Sequence, residues 1–443
     1  MSLARLARLV GTGRNTALSL TEAALARIAA QDAGLRAFIT LDADGARARA
    51  RALDALPVAQ RGPLHGVPVA IKDNIDVAGL PTTDGTRFYA GRIAARDAGT
   101  VARLRRAGAV VLGKLNMHEG ALGATTDNPH WGRADNPAAP GHTPGGSSGG
   151  SAVAVAAGYV PLTLGSDTMG SVRIPAAYCG VWGLKPTRGL IGASGLSHLS
   201  WTLDTIGPLA ASAKDLMTAL FVLAGPDPGD PLSAAAAMLP LRRDGLRKLV
   251  LGLPAEAAGV ALEPGVAAAF AALCGRLEQA GVTLRPVSLA GWDPPRLRRA
   301  GLLVAEAEAA SVIGPDLDAD LAAGGGGFSD AFRLMVNHGR RAEGARVAAA
   351  YRRLTLARTA ALGALGEVAG LLLPTAPQRP FAHGAPVPDN QADLTALANA
   401  AGLPAVAFPI AAPDGGVSAS AQLIGAPYAD ARIIALAGAM ARQ

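Results

Sequence analysis

Between residues 62 and 208, short β-prone runs at 67–71, 110–112 and 160–164 alternate with helical stretches at 100–107 and 151–157. This alternation constrains the fold more than any other feature of the chain. Strands interleaved with helices pack as an α/β sheet with helices on both faces, so the expected fold class is a central mixed, mostly parallel twisted β-sheet flanked by α-helices. The signals continue with strands at 249–253, 371–373 and 403–410 and helices at 265–279 and 431–442. Residues 1–56 carry two Ala-rich helical segments that read as a wrapper around this core. A hydrophobic fraction of 50% over 443 residues supports a large core, and a single domain over 1–443 is expected. The run Gly324 to Gly327 is costly to order and reads either as a mobile surface connector or as an active-site lid.

The formal charge of +7 and the pI near 9.8 raise nucleic acid as a partner, but the basic residues are scattered and none form a run longer than pairs such as Arg105-Arg106. With aromatics at only 4%, stacking platforms are not expected either, and a nucleic-acid partner is set aside. Cys179 and Cys274 lack metal-site spacing and read as buried small side chains, so neither a metal nor a cofactor is expected. No stretch approaches the roughly 20 apolar residues of a membrane span, and the N-terminus lacks an apolar signal core. The expectation is a cytoplasmic protein, with a homodimer among the assemblies open to it.

Two glycine-rich segments carry chemistry. Pro144-Gly145-Gly146-Ser147-Ser148-Gly149-Gly150-Ser151 leads into an apolar helix, so free N–H groups and hydroxyls meet at a helix start. Anion binding and a catalytic hydroxyl both fit, although the phosphate-loop lysine is absent. The second segment, from Gly165 through Asp167, Thr168, Met169, Gly170 and Ser171 to Pro175, follows a strand end, where open α/β sheets place ligands. Its consecutive amides suit an oxyanion hole, with Ser171 as the nucleophile beside it. A serine needs a base, and none of the seven histidines stands in a recognisable triad arrangement. Lys72, one of five lysines in an arginine-rich chain, ends an apolar strand. If buried, its amine is driven toward the neutral form and becomes a base; a structural ion pair is the other reading.

Taken in order, these blocks resemble the amidase-signature family of serine hydrolases. The match runs from Gly66-Val67-Pro68-Val69-Ala70-Ile71-Lys72-Asp73-Asn74 through Gly113-Lys114, Asn116 and Asn136-Pro137 to both glycine-rich segments. It continues through Cys179-Gly180-Val181-Trp182-Gly183-Leu184-Lys185-Pro186-Thr187 and Leu203-Asp204 to Pro208, with a weaker echo at 398–405 and 422–425. The resemblance implies a Ser-cisSer-Lys triad with Ser171 as nucleophile, Ser147 as bridging serine in a cis peptide, and Lys72 as base. Thr168, Met169, Gly170 and Ser171 are implied as the oxyanion hole, and Met117, Gly145, Gly146 and Met169 as substrate contacts. The implied reaction is hydrolysis of a small-molecule carboxylic amide to acid plus ammonia or amine through an acyl-enzyme. Asp167 and Arg173 are expected to pair in support of the turn.

Two positions depart from the pattern. Met169 stands where glycine is usual, which predicts a narrowed or reshaped acyl pocket, and His118 stands where Asp or Thr is expected, which predicts a surface or supporting role. A free-standing amidase is the simpler reading. The alternative is a glutamine-hydrolysing A-type subunit of a transamidation complex, whose partner uses the released ammonia. The pocket is expected to come from residues 290–390, which carry no motif.

Overall fold

A computed structural model describes residues 2–233, 238, 245–413, 415, 417 and 419–443. The described strands are β1 (Phe38–Leu41), β2 (Pro68–Lys72), β3 (Val110–Leu115), β4 (Leu162–Asp167), β5 (Trp182–Lys185), β6 (Thr205–Ala210), β7 (Val250–Pro254), β8 (Thr283–Val287), β9 (Leu371–Pro374), β10 (Ala405–Ile410) and β11 (Ala419–Ile424). The helices are α1 (Leu3–Gly11), α2 (Ala17–Leu35), α3 (Ala43–Asp54), α4 (Gly99–Arg106), α5 (Gly149–Ala156), α6 (Arg173–Tyr178), α7 (Ala213–Leu223), α8 (Pro264–Gln279), α9 (Pro294–Ala322), α10 (Asp330–Arg340), α11 (Gly344–Leu365), α12 (Ala396–Ala401) and α13 (Asp430–Met440).

All eleven strands share one sheet, in the order β1-β3-β2-β4-β6-β5-β10-β11-β9-β7-β8. The sheet is mixed and flanked by helices, as expected, but the mostly parallel part of the expectation needs correction. Parallel pairs occur only at β2–β3, β2–β4, β7–β8 and β7–β9, and the centre of the sheet is antiparallel. One reason is the short spacing of neighbours: only residues 411–418 separate β10 from β11, fewer than the dozen or so that a parallel crossover needs.

Fully buried strands such as Pro68–Lys72 and Val110–Leu115 are covered on both faces, so their sequences read as continuous apolar runs rather than alternating ones. The N-terminal wrapper is present as α1, α2 and α3, and it also supplies the edge strand β1, which pairs antiparallel with β3. Helix α2 starts at Ala17 because the Thr16 side chain accepts from the Ser19 amide while Ser19 reciprocates, a capping box. The long helix α9 packs against both α10 and α11, and residues of α9 and α11 share a core cluster with residues of β9, β10 and β11. Gly324, Gly325 and Gly326 all have positive φ, which only glycine adopts in succession without strain. Gly327 ends that run tied to Asp320 through its amide and to Arg87 and Phe88 through its carbonyl. No helix among the described residues is long and apolar enough to cross a membrane.

The arrangement places function at one end of the sheet. Lys72 is the last residue of β2 and Asp167 the last of the parallel strand β4, so both carboxyl ends open on the same side.

Candidate active site

Lys72 is wholly buried. Its Nζ lies 2.7 Å from Ser147 Oγ and 2.8 Å from Ser166 Oγ. Burial pushes its amine down to about 7, because a charged ammonium loses its hydration there, and the nearby carboxylates of Asp204, Asp167 and Asp84 only partly oppose the shift. The structural ion-pair reading belongs instead to Lys114, whose Nζ sits 3.3 Å from Asp73.

The Gly146–Ser147 peptide bond is cis. Ser147 is buried, and its carbonyl accepts from the His118 amide at 3.0 Å. Thr126 braces the same loop, its Oγ1 donating to the Gly145 carbonyl at 2.8 Å and accepting from the Gly149 amide at 3.0 Å. Gly146 packs so closely that a Cβ there would come within 2.6 Å of the Thr125 amide nitrogen. Ser148 joins this loop to the second one. Its amide donates to the Ser171 carbonyl at 3.2 Å and its hydroxyl to the Ser166 carbonyl at 3.1 Å. Ser171 is half-buried on the far side of that seam.

The Ser171 turn is held from below by Asp167. That carboxylate accepts from the amides of Gly170 at 2.8 Å and Val172 at 3.1 Å. The Gly170 amide, read from sequence as an oxyanion donor, is thus already engaged inside the protein. Among the described residues no acceptor takes the amides of Thr168, Met169 or Ser171. Arg173 completes the clamp, contacting Asp167 through Nε at 3.1 Å and Nη2 at 3.0 Å, Asn399 Oδ1 at 2.6 Å, and both the Thr395 carbonyl and Gln422 Oε1 at 2.9 Å. These contacts use all five donors of the guanidinium. Burial alone would raise the Asp167 carboxyl, but Arg173 outweighs it and holds the group down to about 2. Asn399 and Gln422 come from the weaker echo in the second half of the sequence, which is the other half of this clamp.

Three supporting residues escape sequence reading. Ser166 accepts from Lys72 and from Asn74 Nδ2 at 3.1 Å, and Asp204 accepts the Thr168 hydroxyl at 2.6 Å. Ser166 and Asp204 lie inside the matching segments, yet their residue types carry no chemical signal separate from their neighbours; Thr126 lies outside all of those segments. Among the expected substrate contacts, Met117 is buried, with its carbonyl accepting from Asn128 at 2.8 Å, and Gly145 is buried with φ +79°. Met169 is half-buried on a core cluster that includes α9 and α11 residues. His118 takes the supporting role: its ring meets Thr125 Oγ1 at 3.2 Å and burial drives it down to about 4, so it is neutral.

Chemically, the site offers a neutral amine joined to a buried hydroxyl, a second hydroxyl on a turn with unengaged amides, and a rigid charged clamp beneath. A family model described as Amidase matches residues 19–434. The A-type subunit of the glutamyl-tRNA(Gln) amidotransferase from Symbiobacterium thermophilum is 37% identical over 99% of this chain and 96% of its own length. A crystal structure of an amidase aligns over 99% of both chains with 34% identity and a TM-score of 0.89. A structure from a vestigial protein complex bearing on the origins of an s-triazine catabolic enzyme covers all of this chain and 98% of its own, with 32% identity and a TM-score of 0.92. This chain is therefore a member of the amidase family, an enzyme acting on carbon–nitrogen amide bonds.

Proposed function

We propose that the chain hydrolyses a carboxamide by acyl transfer to Ser171, with Ser147 relaying the proton to Lys72. The observation that carries this reading is the buried Lys72 amine, near neutrality at about 7 and 2.7 Å from Ser147 Oγ. As the Ser171 Oγ–carbon bond forms, the Ser171 proton moves to Ser147 and that of Ser147 to Lys72. The amides of Thr168, Met169 and Ser171 stabilise the oxyanion. When the carbon–nitrogen bond breaks, the proton returns by the same path to the departing nitrogen. Water then repeats the sequence on the acyl-enzyme and releases the acid.

For the substrate, likeness to the A-type amidotransferase component along nearly its whole length favours the side-chain amide of glutamine, with ammonia passed to a partner protein. This reverses the preference for a free-standing enzyme. The free-standing amidase is the second reading, favoured by the 34% identity to an amidase over 99% of both chains. Ammonia release should be measured from glutamine and from a panel of aliphatic and aryl amides, with Ser171→Ala as blank. Glutaminase activity that rises when a co-purified partner is restored supports the first reading. Turnover of simple amides by the lone chain, with none of glutamine, supports the second, and release equal to the Ser171→Ala blank on every amide overturns both.

A further inference from the structure

The peptide units of the Ser171 turn are not all held in the same way. The Asp167–Thr168 unit is oriented through its carbonyl, which accepts from Asn399 Nδ2 at 2.9 Å and Thr205 Oγ1 at 3.3 Å. The Met169–Gly170 unit is gripped at both ends, its carbonyl accepting from Thr395 Oγ1 at 2.6 Å and its amide donating to Asp167 at 2.8 Å. The Gly170 carbonyl accepts from the Ile174 amide at 2.7 Å. Between these, the Thr168–Met169 unit has neither hold. Among the described residues nothing donates to the Thr168 carbonyl, and nothing accepts from the Met169 amide.

What fixes that unit at its start is the Thr168 side chain. Its hydroxyl donates to Asp204 Oδ1 at 2.6 Å, and both residues are buried. Asp204 is itself immobilised: Oδ2 accepts from the amides of Leu199 at 2.9 Å and Ser200 at 3.0 Å, and the half-buried ring of His198 stands 3.3 Å from the same oxygen. The loop carrying Asp204 is tied in turn to α9, where buried Glu308 accepts from the Ser200 hydroxyl and from the amide and hydroxyl of Thr202. Turning Asp204 away from Thr168 would strand two amides, so it is a rigid acceptor. An asparagine could not replace it, since one of its two ends would present N–H groups to donors.

We propose that Asp204 is a positioning residue for amide cleavage, gripping the Thr168 hydroxyl so that the Met169 N–H stays aimed at the oxygen of the acyl group. This rests on the Ser171 mechanism proposed above and adds to it the residue that aligns the oxyanion donor.

Modification of Ser171 by a fluorophosphonate, whose phosphoryl oxygen takes the place of the acyl oxygen, tests this. At pH 9 and saturating reagent, Thr168→Val should slow modification about 10- to 100-fold, with the half-saturating concentration nearly unchanged. Thr168→Ser, which returns the hydroxyl, should restore most of the rate. Asp204→Asn should slow it by a similar factor, and the double variant Thr168→Val with Asp204→Asn should be no slower than the slower single one, because both act through one contact. The midpoint of the pH dependence should stay near 7 in Thr168→Val, which removes no charge facing Lys72. The proposal is overturned by a Thr168→Val rate within about threefold of wild type, by Thr168→Ser as slow as Thr168→Val, by losses that multiply in the double variant, or by a shifted midpoint in Thr168→Val. Labelling of Ser171→Ala at the wild-type rate would instead show that the nucleophile is misassigned, and the proposal would fall with it.

Discussion

Lys72 has two hydroxyl neighbours, and a neutral amine has two N–H donors and a single lone pair to share between them. Asn74 donates to Ser166, so a lone pair of Ser166 remains for a Lys72 N–H, and the amine's own lone pair is left to face Ser147. In the proposed relay Ser166 is therefore a positioning residue. Ser166→Ala should lower kcat about 10- to 100-fold with KM nearly unchanged, the loss of one hydrogen bond to the amine as it takes up a proton and becomes charged. Ser147→Ala should cost on the order of 10²- to 10⁴-fold. Steady-state kinetics on both variants checks the ranking, and equal losses contradict it. Met169 belongs at this scale too. A Cβ on Gly301 would fall 2.8 Å from its sulfur, so the side chain fills space against α9. Met169→Gly should shift relative kcat/KM toward bulkier acyl groups, and an unchanged ratio would contradict the reshaped pocket. The proposed relay residues could be singled out in the sequence because serines on glycine-rich turns, and one of only five lysines in an arginine-rich chain, are chemically conspicuous. Ser166 was not, because its role depends on a neighbour 94 positions away.

The elements hold the site through one polar node. Arg173 in α6 ties the end of β4 to β11, α12 and the residue before it through Asp167, Gln422, Asn399 and Thr395. Breaking a buried pair of this kind costs about 3–5 kcal/mol, since the partner charge is left without compensation. Arg173→Lys replaces five fixed donors with three, so urea unfolding should show a loss approaching that range together with loss of activity. A loss below about 1 kcal/mol would show that the clamp is not structural. Strands β2, β3, β4, β7, β9 and β10 could be read from the sequence as apolar runs. Strand β8 could not, because Thr283 and Pro286 are exposed and its pattern is broken. The α9 to α11 layer also went unread: its face is buried against neighbours far along the chain, and its Ala- and Arg-rich composition blurs the 3.6-residue period.

Across the whole molecule, buried amines give stability a pH dependence of fixed sign. Burial pushes both Lys72 and Lys185 down to about 7, below the ordinary 10.5 of the unfolded chain. Between those values the unfolded state binds the extra protons, so stability rises with pH from about 7 toward 10.5 and these groups add no slope below 7. Denaturation at pH 7 and 9.5 should show a gain in the wild type and a smaller one in Lys72→Met; an identical gain would mean the amine is not desolvated. In the proposed relay the same neutral amine is the base, and covalent labelling reads it without reference to any substrate. The rate at which a fluorophosphonate modifies Ser171, followed by mass spectrometry across pH, should rise along a single limb with its midpoint near 7 and vanish in Ser171→Ala and Lys72→Met. A rate that is flat with pH, or that persists unchanged in Lys72→Met, would contradict a relay driven by Lys72.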